Sequence, residues 1–154
     1  MTARFTKSLA AMAVLLAAAQ FIRPNMTSPP TDPARTIQAA PGTPGGLAPV
    51  LDRSCGDCHS NRTVSGWYTR VAPASWLMAH GMKEGRKVVN FSEWAGYSPD
   101  AQRTLLAASC ADAKAGKMPG AYSYLKPDVR LSANDVETIC AAASQAGTRA
   151  ANAR

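Results

Sequence analysis

Apolar and polar positions fall into three regimes along the chain. Leu9 to Ala19 is an unbroken apolar run behind Arg4 and Lys7. Residues 24–48 carry scattered prolines and glycines and no hydrophobic period, which predicts a semi-extended linker. From Pro49 onward apolar residues recur at helical spacing. Leu51, Cys55 and Cys58 predict a first short helix over 49–58. Pro73, a favourable first helical residue, predicts a second helix through Trp76 and Met82 to Gly85. Ser98 as cap with Pro99 behind it predicts a third, ending at Gly116, with Leu106, Cys110 and Ala113 on one face. Ser132 with Asp135 three residues on reads as a capping box. It opens a fourth helix that buries Val136, Ile139, Cys140 and Ala143 and closes at Gly147. No stretch alternates with period two, so the expected class is all-α. The architecture expected is a small helical domain over 49–147, after an apolar helix at 1–23 and the linker. Residues 148–154 should form a flexible tail.

The 154 residues suit one small domain, and its hundred or so core-forming residues would gain much from a large apolar cofactor. The formal charge of +7 sits largely outside that domain. Arg4, Lys7, Arg23 and Arg35 face only Asp32 ahead of residue 49, and Arg149 and Arg154 follow Gly147. Eleven basic and nine acidic residues remain, with no basic stripe to track a phosphate backbone. A nucleic-acid partner is not expected.

The N-terminal pattern reads as an export signal: a basic start, an apolar run, and small residues at Ala17 and Ala19 before Gln20. An uncleaved membrane anchor reaching Ile22 is the rival reading. Both place the domain outside the cytoplasm, in the periplasm or at the inner membrane surface.

Cys55-Gly-Asp-Cys58-His59 is the pattern for covalent haem c. Thiols about one helical turn apart can reach both vinyl groups of one porphyrin edge, and the adjacent imidazole then faces iron. Three blander readings stand beside it. A redox-active disulfide would expect a βαβ surround. A zinc site would need a second ligand pair downstream, and none is spaced for it. A structural disulfide is the third. The second ring nitrogen of His59 should donate to a carbonyl, for which the loop around Val71, Ala72 and Pro73 is the expected source.

The opposite iron ligand is open to several candidates. Met118 lies in Gly116-Lys117-Met118-Pro119-Gly120, a loop in which proline and glycine fix and free the backbone. His80 is the alternative, one turn after Trp76. Met78 and Met82 read as packing. An open, water-bound iron is the remaining case.

Several blocks together resemble a known family. They are Gln20-Phe21-Ile22-Arg23-Pro24, Ser54-Cys55-Gly56-Asp57-Cys58-His59-Ser60-Asn61, Trp67-Tyr68, Pro73-Ala74-Ser75-Trp76-Leu77 and Glu84-Gly85-Arg86. Asn90-Phe91-Ser92-Glu93-Trp94, Met118-Pro119, Tyr122 and Leu131-Ser132 complete the set. The chain resembles the small bacterial haem-binding domain family, which is similar to class I c-type cytochromes. The resemblance implies one haem in a helical fold, thioethers at Cys55 and Cys58, His59 as proximal ligand and Met118 as distal ligand. It also favours retention of the apolar segment as an anchor.

Trp67, Tyr68, Trp76, Trp94 and Arg86 are candidates for the haem pocket, since an indole N–H or guanidinium can hold a buried propionate. Ordinary core packing is the alternative for each aromatic residue, and a surface charge for Arg86. Cys110 and Cys140, an even pair on two long helices, read as a disulfide in an oxidising compartment, or else as two buried thiols. No acid–base pair or substrate pocket signature points to an enzyme. The expected role is a single-electron carrier between redox partner proteins. A haem-based gas or redox sensor, or a small peroxidase, is the alternative.

Overall fold

Apolar residues at helical spacing give helices wherever the sequence offers a cap, and the computed structural model contains no strand among its described residues. Those are residues 2–152, with side chains described for 4–148. Among these described residues, seven α-helices run in order: α1 (Thr2–Ala19), α2 (Leu47–Ser54), α3 (Gly56–His59), α4 (Ala74–Val88), α5 (Pro99–Lys114), α6 (Tyr122–Leu125) and α7 (Ala133–Asn152). Short 3₁₀ turns occupy 33–35, 67–69, 91–96 and 127–129.

The predicted caps are present. Ser98 Oγ accepts the Ala101 amide, with Pro99 opening α5. Ser132 and Asp135 exchange bonds at the start of α7: the Asp135 amide donates to Ser132 Oγ, and the Ser132 amide donates to Asp135 Oδ2. Three boundaries differ from expectation. The predicted 49–58 helix is two helices, broken at Cys55 (φ −124°) so that α3 can turn onto α4. Helix α4 begins at Ala74, with Pro73 as its cap, and continues past Gly85 to Val88. Helix α7 passes through Gly147 to Asn152, so the expected flexible tail at 148–154 is helical as far as it is described. Gly147 meets no neighbour within 4 Å and lies outside the left-handed region, and the alanine-rich sequence around it sustains the helix.

The core lies where α5 and α7 pack against α2 and the 91–96 turn. Leu51, Phe91, Trp94, Leu106 and Ile139 are among its buried residues. Met78 and Met82 are buried on α4, as packing residues should be. Cys110 and Cys140 are joined as a disulfide between α5 and α7, with Cα atoms 4.8 Å apart.

The segment 24–48 is not a free linker. Thr36, Ile37 and Leu47 are buried, and the Ile37 amide donates to the Phe91 carbonyl at 2.9 Å. Its prolines suppress helix and strand but allow an extended chain to lie along the domain, and isolated apolar residues then suffice to seat it. The end of the apolar helix is tied down as well. The Gln20 side-chain amide donates to the Ala72 carbonyl (3.2 Å) and accepts the Ala72 amide (3.0 Å). Trp76 Nε1 donates to the Ile22 carbonyl at 2.9 Å. Among the described residues, no helix is long and apolar enough to cross a membrane.

Candidate haem-attachment site

Helix α3 carries the motif and is held from two sides. On one side it meets α4 at two glycines. A β-carbon on Gly85 would stand 2.7 Å from the Cys58 carbonyl oxygen, and one on Gly81 would stand 3.4 Å from Cys58 Sγ. Only glycine lets the two helices approach this closely without displacing backbone at position 85. On the other side Asp57, buried within the motif, reaches α6. Its Oδ2 accepts bonds from Tyr122 Oη (2.7 Å) and Lys126 Nζ (2.9 Å), and its Oδ1 accepts the Val64 amide (2.7 Å).

Cys55 and Cys58 are free thiols, while the other two cysteines are paired with each other. Burial, with Cys58 nearby, pushes the Cys55 thiol up to about 12. Burial, with Asp57 nearby, pushes Cys58 up to about 11. Both therefore stay neutral at ordinary pH, whereas dithiol exchange of the thioredoxin kind relies on a thiol whose pKa is lowered. No βαβ unit surrounds them among the described residues either. Among the described residues, no group of three or more His, Cys, Asp or Glu side chains is placed to hold a metal ion.

His59 Nδ1 lies 3.3 Å from the Val89 carbonyl oxygen. This corrects the expected source of that carbonyl, since residue 89 follows α4 whereas the 71–73 loop precedes it. The amide and carbonyl of Ala72 are instead engaged by Gln20. A proton on Nδ1 directed at Val89 leaves Nε2 as the lone-pair nitrogen, the form an iron ligand requires. Burial pushes the imidazole below its ordinary pKa and favours that neutral state. Phe91 packs against the ring with centroids 6.2 Å apart. The Asn90–Trp94 block holds this arrangement in place. Asn90 Oδ1 accepts the Ser92 amide, Asn90 Nδ2 donates to Asn61 Oδ1, and Ser92 Oγ accepts the Asn61 amide.

Other candidates are placed less centrally. Met118 is 47% exposed, between Gly116 (φ +66°) and Gly120 (φ +57°), the left-handed backbone that the loop sequence foretells. His80 is exposed on α4, beside the Gly81 that faces Cys58. Trp67 is exposed, and the Trp76 indole serves the Ile22 carbonyl. Trp94 is buried in the core between Phe91 and Tyr97. Tyr68 is buried and stands edge-on to Tyr122. Arg86 is a brace, donating to the Ser60 carbonyl, Ser28 Oγ and Thr63 Oγ1. A cavity of about 460 Å³ between residues 37–47, α5 and α7 is lined by Ile37, Leu47, Trp94 and Leu106, but by neither motif cysteine nor His59.

Sequence reasoning missed Asp57, Tyr122 and Lys126 as a bonded group, Val89 as the carbonyl, and the glycine pair of α4. Only the glycines carried a signal, at i and i+4 inside a helix where glycine is costly.

Two free thiols one turn apart, a neutral imidazole oriented through Nδ1, and a glycine-lined approach form a donor set suited to haem. The family comparison agrees. The chain matches the haem-binding domain family over residues 14–145 and belongs to that family. It is thus a haem-binding, all-helical protein. No curated protein and no solved structure matches it.

Proposed function

We propose that the protein is a c-type cytochrome that carries single electrons outside the cytoplasm. Cys55 and Cys58 would hold the porphyrin as thioethers, each S–H adding across a vinyl group with its hydrogen passing to carbon. His59 Nε2 would be the proximal ligand and Met118 the distal one. Bound haem supplies a one-electron ferric–ferrous couple. The chain's own contribution is to orient His59 through Val89, to seat α3 against α4, and to present Met118 from a bounded loop. The carrying observation is the His59 Nδ1–Val89 contact beside two unpaired thiols. The basic-then-apolar N-terminal pattern and the Cys110–Cys140 disulfide support a site of action beyond the inner membrane.

The purified holoprotein tests this reading. Its pigment should survive acidified organic solvent, and Cys55→Ala with Cys58→Ala should release it. Met118→Ala should abolish the thioether charge-transfer band and open the iron to carbon monoxide. An unaltered low-spin spectrum in Met118→Ala removes Met118 from the assignment. A wild-type iron that is high-spin and binds carbon monoxide readily supports a sensor instead.

A further inference from the structure

The residue between the two motif cysteines does more than fill the turn. Asp57 is 3% exposed, and its carboxylate accepts the three bonds described above. Lys126 is its ion partner at 2.9 Å, with only 17% of the lysine side chain exposed. Tyr122 Oη also lies 3.1 Å from Tyr68 Oη. A phenol has one hydrogen, and a carboxylate is the stronger acceptor, so Tyr122 donates to Asp57 and Tyr68 donates to the Tyr122 oxygen. The chain of bonds runs from Tyr68 through Tyr122 to Asp57, with Lys126 closing it.

Its partners are not random in sequence. Tyr122 opens α6, four residues after Met118, and Lys126 follows the end of α6. The intervening loop is tight: a β-carbon on Gly120 would stand 2.8 Å from the Lys117 carbonyl oxygen, so the backbone closes on itself across Met118. At its other end the Lys117 amide donates to the Asp112 carbonyl of α5 at 3.0 Å. The loop is therefore pinned at one end to α5 and at the other to the motif turn. Asp57 supplies the second pin, and it does so from within two residues of His59.

We infer that Asp57 is a positioning residue that sets where the Met118 loop stands relative to the Cys55–His59 turn, through Tyr122 and Lys126. It touches neither iron nor porphyrin in this role and acts through the loop. The inference rests on Met118 being the distal ligand. It goes further by naming what holds that ligand in register with the attachment site.

Competition with added imidazole tests it on the ferric holoprotein. Imidazole displaces a weakly held thioether, and the loss of the charge-transfer band gives the midpoint. Removing a hydrogen bond to a buried charged group corresponds to about a tenfold to hundredfold change in an equilibrium. Asp57→Asn should lower the imidazole midpoint by that factor, and Tyr122→Phe, which leaves the attachment motif intact, should lower it severalfold. Asp135→Asn serves as control, because Asp135 is also a buried carboxylate, on α7, and bonds to Ser132 and Arg53 rather than to the loop. It should reduce stability without moving the imidazole midpoint. Should Asp57→Asn and Tyr122→Phe lower thermal stability while their midpoints match wild type, the positioning role is overturned and Asp57 is structural only. If Asp57→Asn fails to take up haem, Tyr122→Phe alone decides. A wild-type protein without the thioether band overturns the Met118 assignment and this inference with it, a result separable from the first because it appears before any substitution is made.

Discussion

At the scale of single residues, glycine shows how much depends on what lies across from an α-carbon. Gly85 and Gly147 are both helical, and both would gain up to about 1 kcal/mol of helix propensity on replacement by alanine. A methyl at 147 meets open space, so Gly147→Ala should stabilise by about 0.5–1 kcal/mol. At 85 the methyl meets the backbone of Cys58, which cannot rotate away. Gly85→Ala should therefore cost about 1–3 kcal/mol from overpacking and disturb the seat of His59. Denaturant unfolding of the two variants should give shifts of opposite sign. The attachment motif was legible at this scale because its three functional side chains lie within five residues. The Val89 carbonyl was not, since a backbone acceptor thirty residues away leaves no mark in composition or spacing. Asp57 was also missed, because a carboxylate in a short polar turn looks solvated until its partners, 65 and 69 residues on, are placed beside it.

At the scale of elements, local signals and tertiary ones separate. The caps of α5 and α7 were readable because a cap and the amides it serves lie within one turn. The break at Cys55 was not, for it depends on α4 drawing α3 toward its glycines. The burial of Ile37 in a proline-rich stretch escaped periodicity for the same reason: a single anchor residue has no period. The α7 cap makes a pH prediction. Bonds from the Ser132 amide and hydroxyl, aided by the Arg53 guanidinium, hold the Asp135 carboxyl below its usual range. A carboxyl lowered in the folded state stabilises the fold above its unfolded pKa, about 3.9, and that contribution fades as pH falls through the lower folded value. Wild type should exceed Asp135→Asn in stability at pH 6. The gap should narrow below about pH 4, as followed by thermal melts across that range.

For the whole molecule, the helical class followed from periodicity, and the family match extends across the segment read as a linker. The disulfide spans 30 residues and joins the two longest core helices. Loop closure of that length should contribute about 3–4 kcal/mol. Cys110→Ser with Cys140→Ser should accordingly lower the unfolding free energy by that amount, with the motif spectrum unchanged. Dithiothreitol should open this bridge and leave thioethers intact, so the two kinds of sulfur bond can be told apart by mass after alkylation.

The bonds made by Gln20 move the natural starting point of the globule. A primary amide offers a donor and an acceptor side by side, as a peptide group does, and Gln20 uses both on Ala72. Ile22, Ser28 and Pro30 add their own attachments to Trp76, Arg86 and Asn61. A proteolytic cut after Ala19 would spare all of these. A cut ten residues later would strip away three of the four and leave the Ala72 amide and carbonyl without their Gln20 partner. Any processing of this polypeptide thus has a sharp tolerance: a cut after Ala19 keeps every one of these bonds, and a cut after Gln20 begins to lose them.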